Sequence, residues 1–298
     1  MTAPRQVLPG TTYLVTRRCS QRQFLLRPSA TTNGVFAYVL AVAAGRFGVR
    51  VHTACVLSSH FHLVVTDPGG RLPAFEQYLD SLVARALNAS LDRSESFWAP
   101  SSYSAVALSS PDDIVAKAAY TLANPVAAGL VRHGRDWPGL WSTPEQIDAG
   151  SIRLERPGTF FRADGPMPET VDLEFSTPPG FESPDEFRER LSAALAVLEE
   201  RATLAIVNKG VGFLGKAKVL AQKPTTRPAS NAPLGQLRPR IASRDKWKRI
   251  EALSRLKEFL TSYRIAWQAM REGVRDVIFP SGTYGLRVSL GVRCAAPS

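Results

Sequence analysis

Residues 51–65 read VHTACVLSSHFHLVV, and this stretch decides the fold. Two runs rich in β-branched and apolar residues, 50–57 and 60–66, are separated only by Ser58 and Ser59. Such runs favour strands, and a gap of two residues is the length of the tightest hairpin loops. The sequence therefore predicts an antiparallel β-hairpin, although Ser-Ser is not the Asn-Gly type of pair that these turns prefer.

The second strand of this hairpin carries two histidines on one face. Side chains alternate along a strand, so His60 and His62 point the same way. Two imidazoles at this spacing can chelate a divalent cation. The chain has only four histidines, which favours a metal site over two unrelated histidines in a half-buried strand. A two-residue loop pairs Cys55 with His62 and puts His52 on the opposite face, so we expect His52 to be structural; a loop longer by one residue would reverse this.

Periodicity outside the hairpin predicts one further strand and three helices. Residues 11–16 (TTYLVT) are typical of a strand. Apolar residues recur at spacings of three and four over 33–48 and again over 72–87, which indicates helices that bury one face. A third helix is predicted over 111–124. Elements in this order predict an α+β sandwich built on a mainly antiparallel sheet.

The predicted helix over 111–124 carries a polar stripe. Pro125 is expected to end the helix, because a residue that precedes proline disfavours helical geometry. Tyr120 and Asn124 lie four residues apart and share a face with Lys117, whereas most other positions are apolar. A polar stripe on a buried helix must face a site or a partner. A tyrosine that simply holds its hydroxyl at the surface is the alternative.

Composition excludes several classes of protein. The chain has 298 residues, of which 44% are hydrophobic and 21% charged, as in an ordinary globular protein. No apolar run approaches the ~20 residues that span a bilayer, and the N-terminus does not resemble a secretory signal. Three cysteines in no paired pattern exclude a disulfide framework. We therefore expect a cytoplasmic protein.

Positive charge is concentrated in one segment. The chain holds 37 Lys and Arg against 26 Asp and Glu, a formal net charge of +11, which indicates a polyanionic partner. Residues 209–249 alone contain 11 basic residues and a single acid, Asp245. Nucleic acid is the expected partner. A membrane surface is less favoured, because no strongly amphipathic basic helix coincides with this segment.

Composition also divides the chain into three parts. We expect a compact domain over 1–150, a linker rich in proline and glycine over 151–182, and an accessory region, mostly helical and basic, over 183–298. The basic stretch contains four prolines and is expected to be extended. A long helix is predicted over 245–271, after this stretch.

One glycine motif in the basic segment has a misleading spacing. Residues 210–216 (GVGFLGK) match the glycine pattern of dinucleotide-binding loops. No acid follows at about 20 residues, Pro224 cuts the following helix short, and no βαβ unit surrounds the motif. We therefore expect an ordinary loop here.

The hairpin and the tyrosine helix together resemble a known family. The strings VHTACVLSSHFHLVV (51–65) and AYTLANPVAAGLV (119–131) are similar to the two signature blocks of the single-tyrosine HUH transposases, and among these to the REP-associated tyrosine transposases. The resemblance extends over roughly residues 9–145. It implies a ferredoxin-like or RRM-like HUH endonuclease sandwich with a mainly antiparallel sheet, followed here by a helical, basic C-terminal region.

The resemblance also implies a site and a reaction. The family's metal-binding histidines fall on His60 and His62, its nucleophile on Tyr120, and a polar residue that can complete the metal site on Asn124. This implies a metal-dependent transposase, with Mg²⁺ or Mn²⁺, that cleaves and rejoins single-stranded or hairpin DNA through a 5′-phosphotyrosine. A catalytically inactive DNA-binding regulator of the same fold is the alternative, and a metal hydrolase that uses water as nucleophile is a third.

Basic residues near these motifs and in the basic segment are the expected DNA contacts. They are Arg17, Arg18, Lys117, Lys216, Lys218, Lys223, Arg238 and Arg240. Solvated surface charge without a role in binding is the alternative for each of them. A homodimer is left open by the sequence.

Overall fold

A mainly antiparallel sheet with helices on both faces forms the framework. The computed structural model describes residues 4–100, 103–228 and 239–296. In chain order its strands and helices are β1 (Thr11–Arg18), α1 (Ala30–Phe47), β2 (Arg50–Leu57), β3 (His60–Asp67), α2 (Leu72–Ser90), β4 (Ser104–Leu108), α3 (Pro111–Ala127), β5 (Ser151–Glu155), β6 (Thr170–Glu174), α4 (Pro184–Asn208), α5 (Lys216–Ala221), β7 (Ile241–Ala242), α6 (Lys246–Arg271), β8 (Ile278–Phe279), α7 (Gly285–Leu290) and β9 (Arg293–Cys294).

The main sheet has the order β2-β3-β1-β4-β7 within the described residues. All its neighbouring strands run antiparallel except β7, which pairs parallel with β4. This confirms the predicted α+β class. The hairpin of β2 and β3 has the predicted two-residue turn, and Cys55 lies opposite His62 as expected.

The helices divide the strand residues between two faces. Phe61 of β3 points toward α1, where its ring meets Phe36 edge-on at 5.1 Å between centroids. His62, the next residue, points to the other face and meets α3 there. α4 packs on α3 as an outer layer. None of the helices in the described parts of the chain combines the length and hydrophobicity needed to cross a bilayer.

The expected end of α3 at Asn124 is wrong. The helix continues through Pro125 to Ala127, and its last hydrogen bond with α-helical spacing joins the Ala128 N–H to the Asn124 carbonyl. Pro125 lies in the final turn, so only one ladder bond is lost there. Gly129, with φ of +69°, then lets the chain leave the helix in a left-handed conformation. Asn124 is therefore fully inside the helix.

The linker expected over 151–182 differs from the structure. β5 and β6 form an antiparallel hairpin in this segment, and the Tyr38 hydroxyl of α1 donates to the Pro168 carbonyl between them. Leu173 and Phe175 are buried in the same hydrophobic core as the main sheet, together with Phe187 of α4. The alternating apolar residues of β6 bury one side of a strand, which its proline-rich surroundings conceal in the sequence.

The basic stretch is only partly extended. Residues 216–221 form the short helix α5, and its Val219 is fully buried against Cys55 and Leu57 of β2. Burial of one apolar side chain thus fixes part of a segment that its charges and prolines predict to be extended. The predicted long helix over 245–271 forms as α6.

Glu76 of α2 is a buried acid whose titration should change the stability of the protein with pH. Burial and then the carboxylate of Asp80 raise the pKa of Glu76 well above its ordinary range, and neither oxygen of Glu76 has a hydrogen-bond partner among the described residues. An acid with a higher pKa in the folded state binds protons more tightly when folded. Stability is then lost as pH rises from the unfolded pKa of ~4.3 toward the folded one.

Glu76→Gln should remove much of this pH dependence. We expect the free energy of unfolding of the variant, relative to wild type, to be higher at pH 8 than at pH 5 by about 1 kcal/mol or more. Urea unfolding at both pH values measures the difference. Parallel stability curves for the two proteins would contradict the assignment.

Candidate active site

His60 and His62 stand side by side on the face of the sheet that α3 covers. Their ring centroids are 4.9 Å apart and the rings are nearly perpendicular, at 89°. Each Nδ1 is within hydrogen-bond distance of a hydroxyl: Ser59 Oγ at 3.1 Å for His60 and Thr16 Oγ1 at 2.8 Å for His62. Thr16 lies directly opposite His62 across the β1–β3 pair. Both rings are therefore oriented through Nδ1.

Both imidazoles are neutral at neutral pH. Burial, followed by the positive charges of Arg18 and Arg22, lowers the pKa of His60 to about 4. The pKa of His62 is also held well below its usual range, mainly by burial and then by His60 and Arg18. A neutral imidazole whose Nδ1–H donates to a hydroxyl presents a lone pair at Nε2.

Tyr120 comes from α3 and lies against His62. The ring centroids are 5.4 Å apart at an angle of 75°, and 44% of the tyrosine side chain is exposed. The Ser110 hydroxyl caps α3 by accepting the N–H of Asp113, and this fixes where the helix starts. Lys117 lies one turn before the tyrosine, with its Nζ 5.6 Å from the ring centroid.

Asn124 lies one turn after Tyr120 and is half-buried. Because α3 continues through Pro125, the spacing of four keeps both side chains on one face. The structure thus brings His60, His62 and Tyr120 into one cluster, with Asn124 beside the tyrosine on the same helix face.

The nitrogen and oxygen donors of these side chains fit a metal ion that keeps some coordination positions open. The Nε2 atom of His62 is buried and has no hydrogen-bond partner among the described residues, an arrangement that costs free energy unless the lone pair binds something. No cluster of three or more His, Cys, Asp or Glu side chains suited to a metal occurs in the described residues. Two imidazoles with the amide of Asn124 could hold Mn²⁺ or Mg²⁺ if water and substrate oxygens complete the shell.

His52 is not where its position in the strand predicts. The pairing of β2 with β3 slips by one residue between Val51 and Thr53, so the imidazole reaches the Thr66 hydroxyl on the face shared with His62. The expectation of an opposite face is therefore wrong. His52 Nδ1 donates to the Ser176 carbonyl at 2.6 Å, and Nε2 lies 2.7 Å from Thr66 Oγ1. Both nitrogens have protein partners, which leaves neither for a cation.

The two neighbouring arginines of β1 lie on opposite faces. Arg17 points toward α2, where its Nε lies 3.0 Å from Asp80 Oδ2 with both side chains largely buried. It is not brought together with the histidines, which corrects its expected place among the DNA contacts. Arg18 is exposed and lies directly opposite His60 across the β1–β3 pair. Of these two arginines, Arg18 is therefore the one placed to meet a ligand at this site.

The remaining basic candidates are distributed around the molecule. Lys216, Lys218 and Lys223 are exposed on α5 and just after it. Arg240 adjoins β7, at the sheet edge farthest from β2, and its guanidinium donates to the Pro4 carbonyl, so it is not brought to the histidines. Arg238 lies outside the described residues.

Sequence reasoning missed the hydroxyls that orient the imidazoles. Ser59 is a turn residue, and its position immediately before His60 was the available signal. Thr16 could be found only through the β1–β3 register, which pairs two distant stretches of chain.

Comparisons with known proteins include two similar solved structures. One is a REP-associated tyrosine transposase bound to a REP hairpin, with 19% sequence identity and a TM-score of 0.39, covering 45% of this chain and 78% of that one. The other is a protein from Deinococcus radiodurans R1 provisionally described as a transposase, with 18% identity and a TM-score of 0.28, covering 36% and 85%. No family model and no curated protein matches the sequence.

The first is described as a member of the family that the sequence motifs resemble, and the second is described only as a transposase. Their TM-scores are below 0.5, so the similarities carry no argument about individual residues of this chain. The function proposed below is supported by the geometry of its own side chains.

Because Arg17 is buried and Arg18 exposed, substitutions at the two positions should differ in their effect on stability. Arg17→Met should lower the free energy of unfolding by about 3 kcal/mol, because it leaves the buried Asp80 carboxyl without its cation. Arg18→Met should change it by no more than about 0.5 kcal/mol, since Arg18 is exposed. Urea unfolding at pH 8 measures both. Similar losses in the two variants would contradict the assigned faces.

Proposed function

We propose that this chain is a metal-dependent DNA transposase that cleaves and rejoins single-stranded or hairpin DNA through a 5′-phosphotyrosine on Tyr120. The observation that carries the proposal is the contact between the Tyr120 ring and His62, beside a buried imidazole nitrogen that has no partner among the described residues. A nucleophile beside an imidazole nitrogen that can bind a metal ion, both on one face of the sheet, suits a reaction at a single phosphate.

The proposed step exchanges one phosphate ester for another. The Tyr120 oxygen attacks the scissile phosphorus and loses its proton, and a bond forms between this oxygen and phosphorus. The bond from phosphorus to the 3′ oxygen of the preceding nucleotide breaks, and that oxygen leaves and gains a proton to become a free 3′-OH. The energy of the ester is kept in the phosphotyrosine, so a second 3′-OH can reverse the exchange on another strand.

His60, His62 and Asn124 are the residues that would hold Mn²⁺ or Mg²⁺. A bound cation would supply Lewis-acid stabilisation of negative charge on the phosphate. The chain's own contribution is to keep both imidazoles neutral and fixed through the hydroxyls of Ser59 and Thr16.

Basic side chains around this face would hold the DNA. Arg18 lies opposite His60, and Lys117 lies one turn before Tyr120. α5 is anchored on β2 through the buried Val219, which brings the exposed lysines of the basic segment to the same face of the sheet. Contacts of this kind to phosphates would supply affinity and orientation rather than sequence discrimination.

The nucleophile is tested by Tyr120→Phe, which removes one oxygen from a partly exposed ring and should leave the fold intact. A panel of 3′-labelled hairpins with single-stranded flanks, incubated with Mn²⁺, should give a covalent protein–DNA adduct with wild type and none with the variant. The label must be at the 3′ end, because the fragment joined through its 5′ phosphate keeps that end.

Tyr103→Phe is the matched control. Tyr103 is half-buried under the guanidinium of Arg5, and burial raises the pKa of its hydroxyl. This variant should form the adduct as wild type does. An adduct that persists in Tyr120→Phe would overturn the assignment. DNA binding without any adduct would favour the inactive regulator, and cleavage without an adduct would favour the hydrolase.

His60→Ala and His62→Ala should each abolish cleavage while they leave DNA affinity within about threefold of wild type. Affinity is dominated by cations that contact phosphates, and neither histidine is charged at neutral pH. Adduct formation and fluorescence anisotropy on the same oligonucleotide separate the two effects. A well-folded His62→Ala protein that still cleaves at the wild-type rate would remove the metal site from the mechanism.

A further inference from the structure

A second cleft lies beside the candidate active site. Its volume is about 630 Å³, within the ~300–1,000 Å³ typical of small-ligand pockets. One wall is the segment that follows α3, and the other is the glycine-rich loop before α5. The charged and aromatic residues that line it are Arg132, Arg135, Asp136, Trp137, Phe213 and Lys216. Three cations against one acid favour an anionic ligand.

Hydrogen bonds hold both walls in place. On the first, Glu199 of α4 accepts the backbone N–H of Gly134 at 2.7 Å, and the indole of Trp137 donates to a backbone carbonyl of β2 at 2.9 Å. On the second, the N–H groups of Leu214 and Gly215 donate at 2.9 Å to carbonyls of the turn that follows α3. The cleft is therefore formed before a ligand arrives.

The lining combines an aromatic ring with cations. Phe213 is half-buried, and the guanidinium of Arg132 lies 5.7 Å from its ring centroid. Arg135 and Lys216 are exposed on the two walls. Single-stranded nucleic acid is bound by this combination, because a base stacks on the ring while cations neutralise the backbone. A duplex keeps its bases stacked on one another and offers none to the ring.

Strand β2, which pairs with the histidine strand β3, connects the cleft to the histidines. Trp137, at the floor of the cleft, packs with Cys55 and Leu57 of β2. These two residues are the cross-strand partners of His62 and His60. A strand of DNA that crosses the histidine face can therefore continue into the cleft.

We infer that this cleft binds an unpaired nucleotide next to the cleaved phosphate, with its base stacked on Phe213 and its phosphates at Arg135 and Lys216. That the bound strand is DNA follows from the proposed function, on which this inference rests. The loop over 210–216, whose glycine spacing resembles a dinucleotide-binding motif, thus takes a role in binding a single strand.

Binding of two fluorescein-labelled probes to the full chain tests the inference by anisotropy: a (dT)20 single strand and a blunt 20-base-pair duplex. Phe213→Ala should weaken binding of (dT)20 by about tenfold, because one stacked base is lost, and change duplex binding by less than about twofold. Phe213→Trp, which keeps an aromatic ring at this position, should bind (dT)20 as wild type does. Arg135→Gln should lower the log–log salt slope on (dT)20 by about 0.7.

Tyr284→Ala is the matched control, since Tyr284 is also half-buried beside an arginine, with Arg287 5.9 Å from its ring centroid. It should leave (dT)20 binding unchanged. Wild-type affinity of Phe213→Ala for (dT)20, or equal losses on both probes, would overturn the inference. The outcome is independent of chemistry: if Phe213→Ala loses the single strand but no hairpin forms a Tyr120 adduct, the nucleotide site stands and the proposed transposase activity fails.

Discussion

The pairing of Cys55 with His62 across a two-residue turn is the constraint on which the site depends. A slip of one residue would exchange the two faces of β3, so that the imidazoles would enter the apolar layer under α1 and Phe61 would face α3. Phe61 resists this slip because its ring is fully buried against Phe36 and Trp98. The packing of one face of the strand thus determines which face carries the histidines, and the hydroxyls of Ser59 and Thr16 then orient their rings.

Positive charge near the histidines has two effects: it lowers the pKa of His60 and it favours an anionic ligand. Arg18 and Arg22 help to keep His60 neutral, so that its nitrogen stays available as a ligand, and Arg18 is exposed where a phosphate would approach. Within the described residues, no carboxylate is among the causes that shift the pKa of His60 or His62. Two acids of α2, Glu76 and Asp80, lie on the other side of the sheet with Arg17. The sheet therefore separates a positive face, suited to an anionic ligand, from the acids that lie under α2.

Local patterns predicted what local interactions determine. Alternation and loop length were sufficient for the β2–β3 hairpin and its register, and helical spacing was sufficient to place Tyr120 and Asn124 on one face. The sequence could not predict what depends on distant partners. Alternation puts Arg17 and Arg18 on opposite faces, but only α2 shows which face is buried. The bulge that turns His52 toward Thr66 leaves no local signature.

The residues of the candidate active site all lie before residue 150, but the structure that supports them extends well beyond it. Ser176, after β6, accepts a hydrogen bond from His52 at the edge of the sheet, and Glu199 of α4 fixes the segment after α3. Val219 of α5 packs in a cluster with Cys55 and Leu57 of β2, which are the cross-strand neighbours of the two histidines on the same face. A fragment cut at 150 would expose the apolar surfaces that Leu173 and Phe187 now cover. The segments after residue 150 are therefore part of the same folded unit as the candidate active site, because they complete its hydrophobic core.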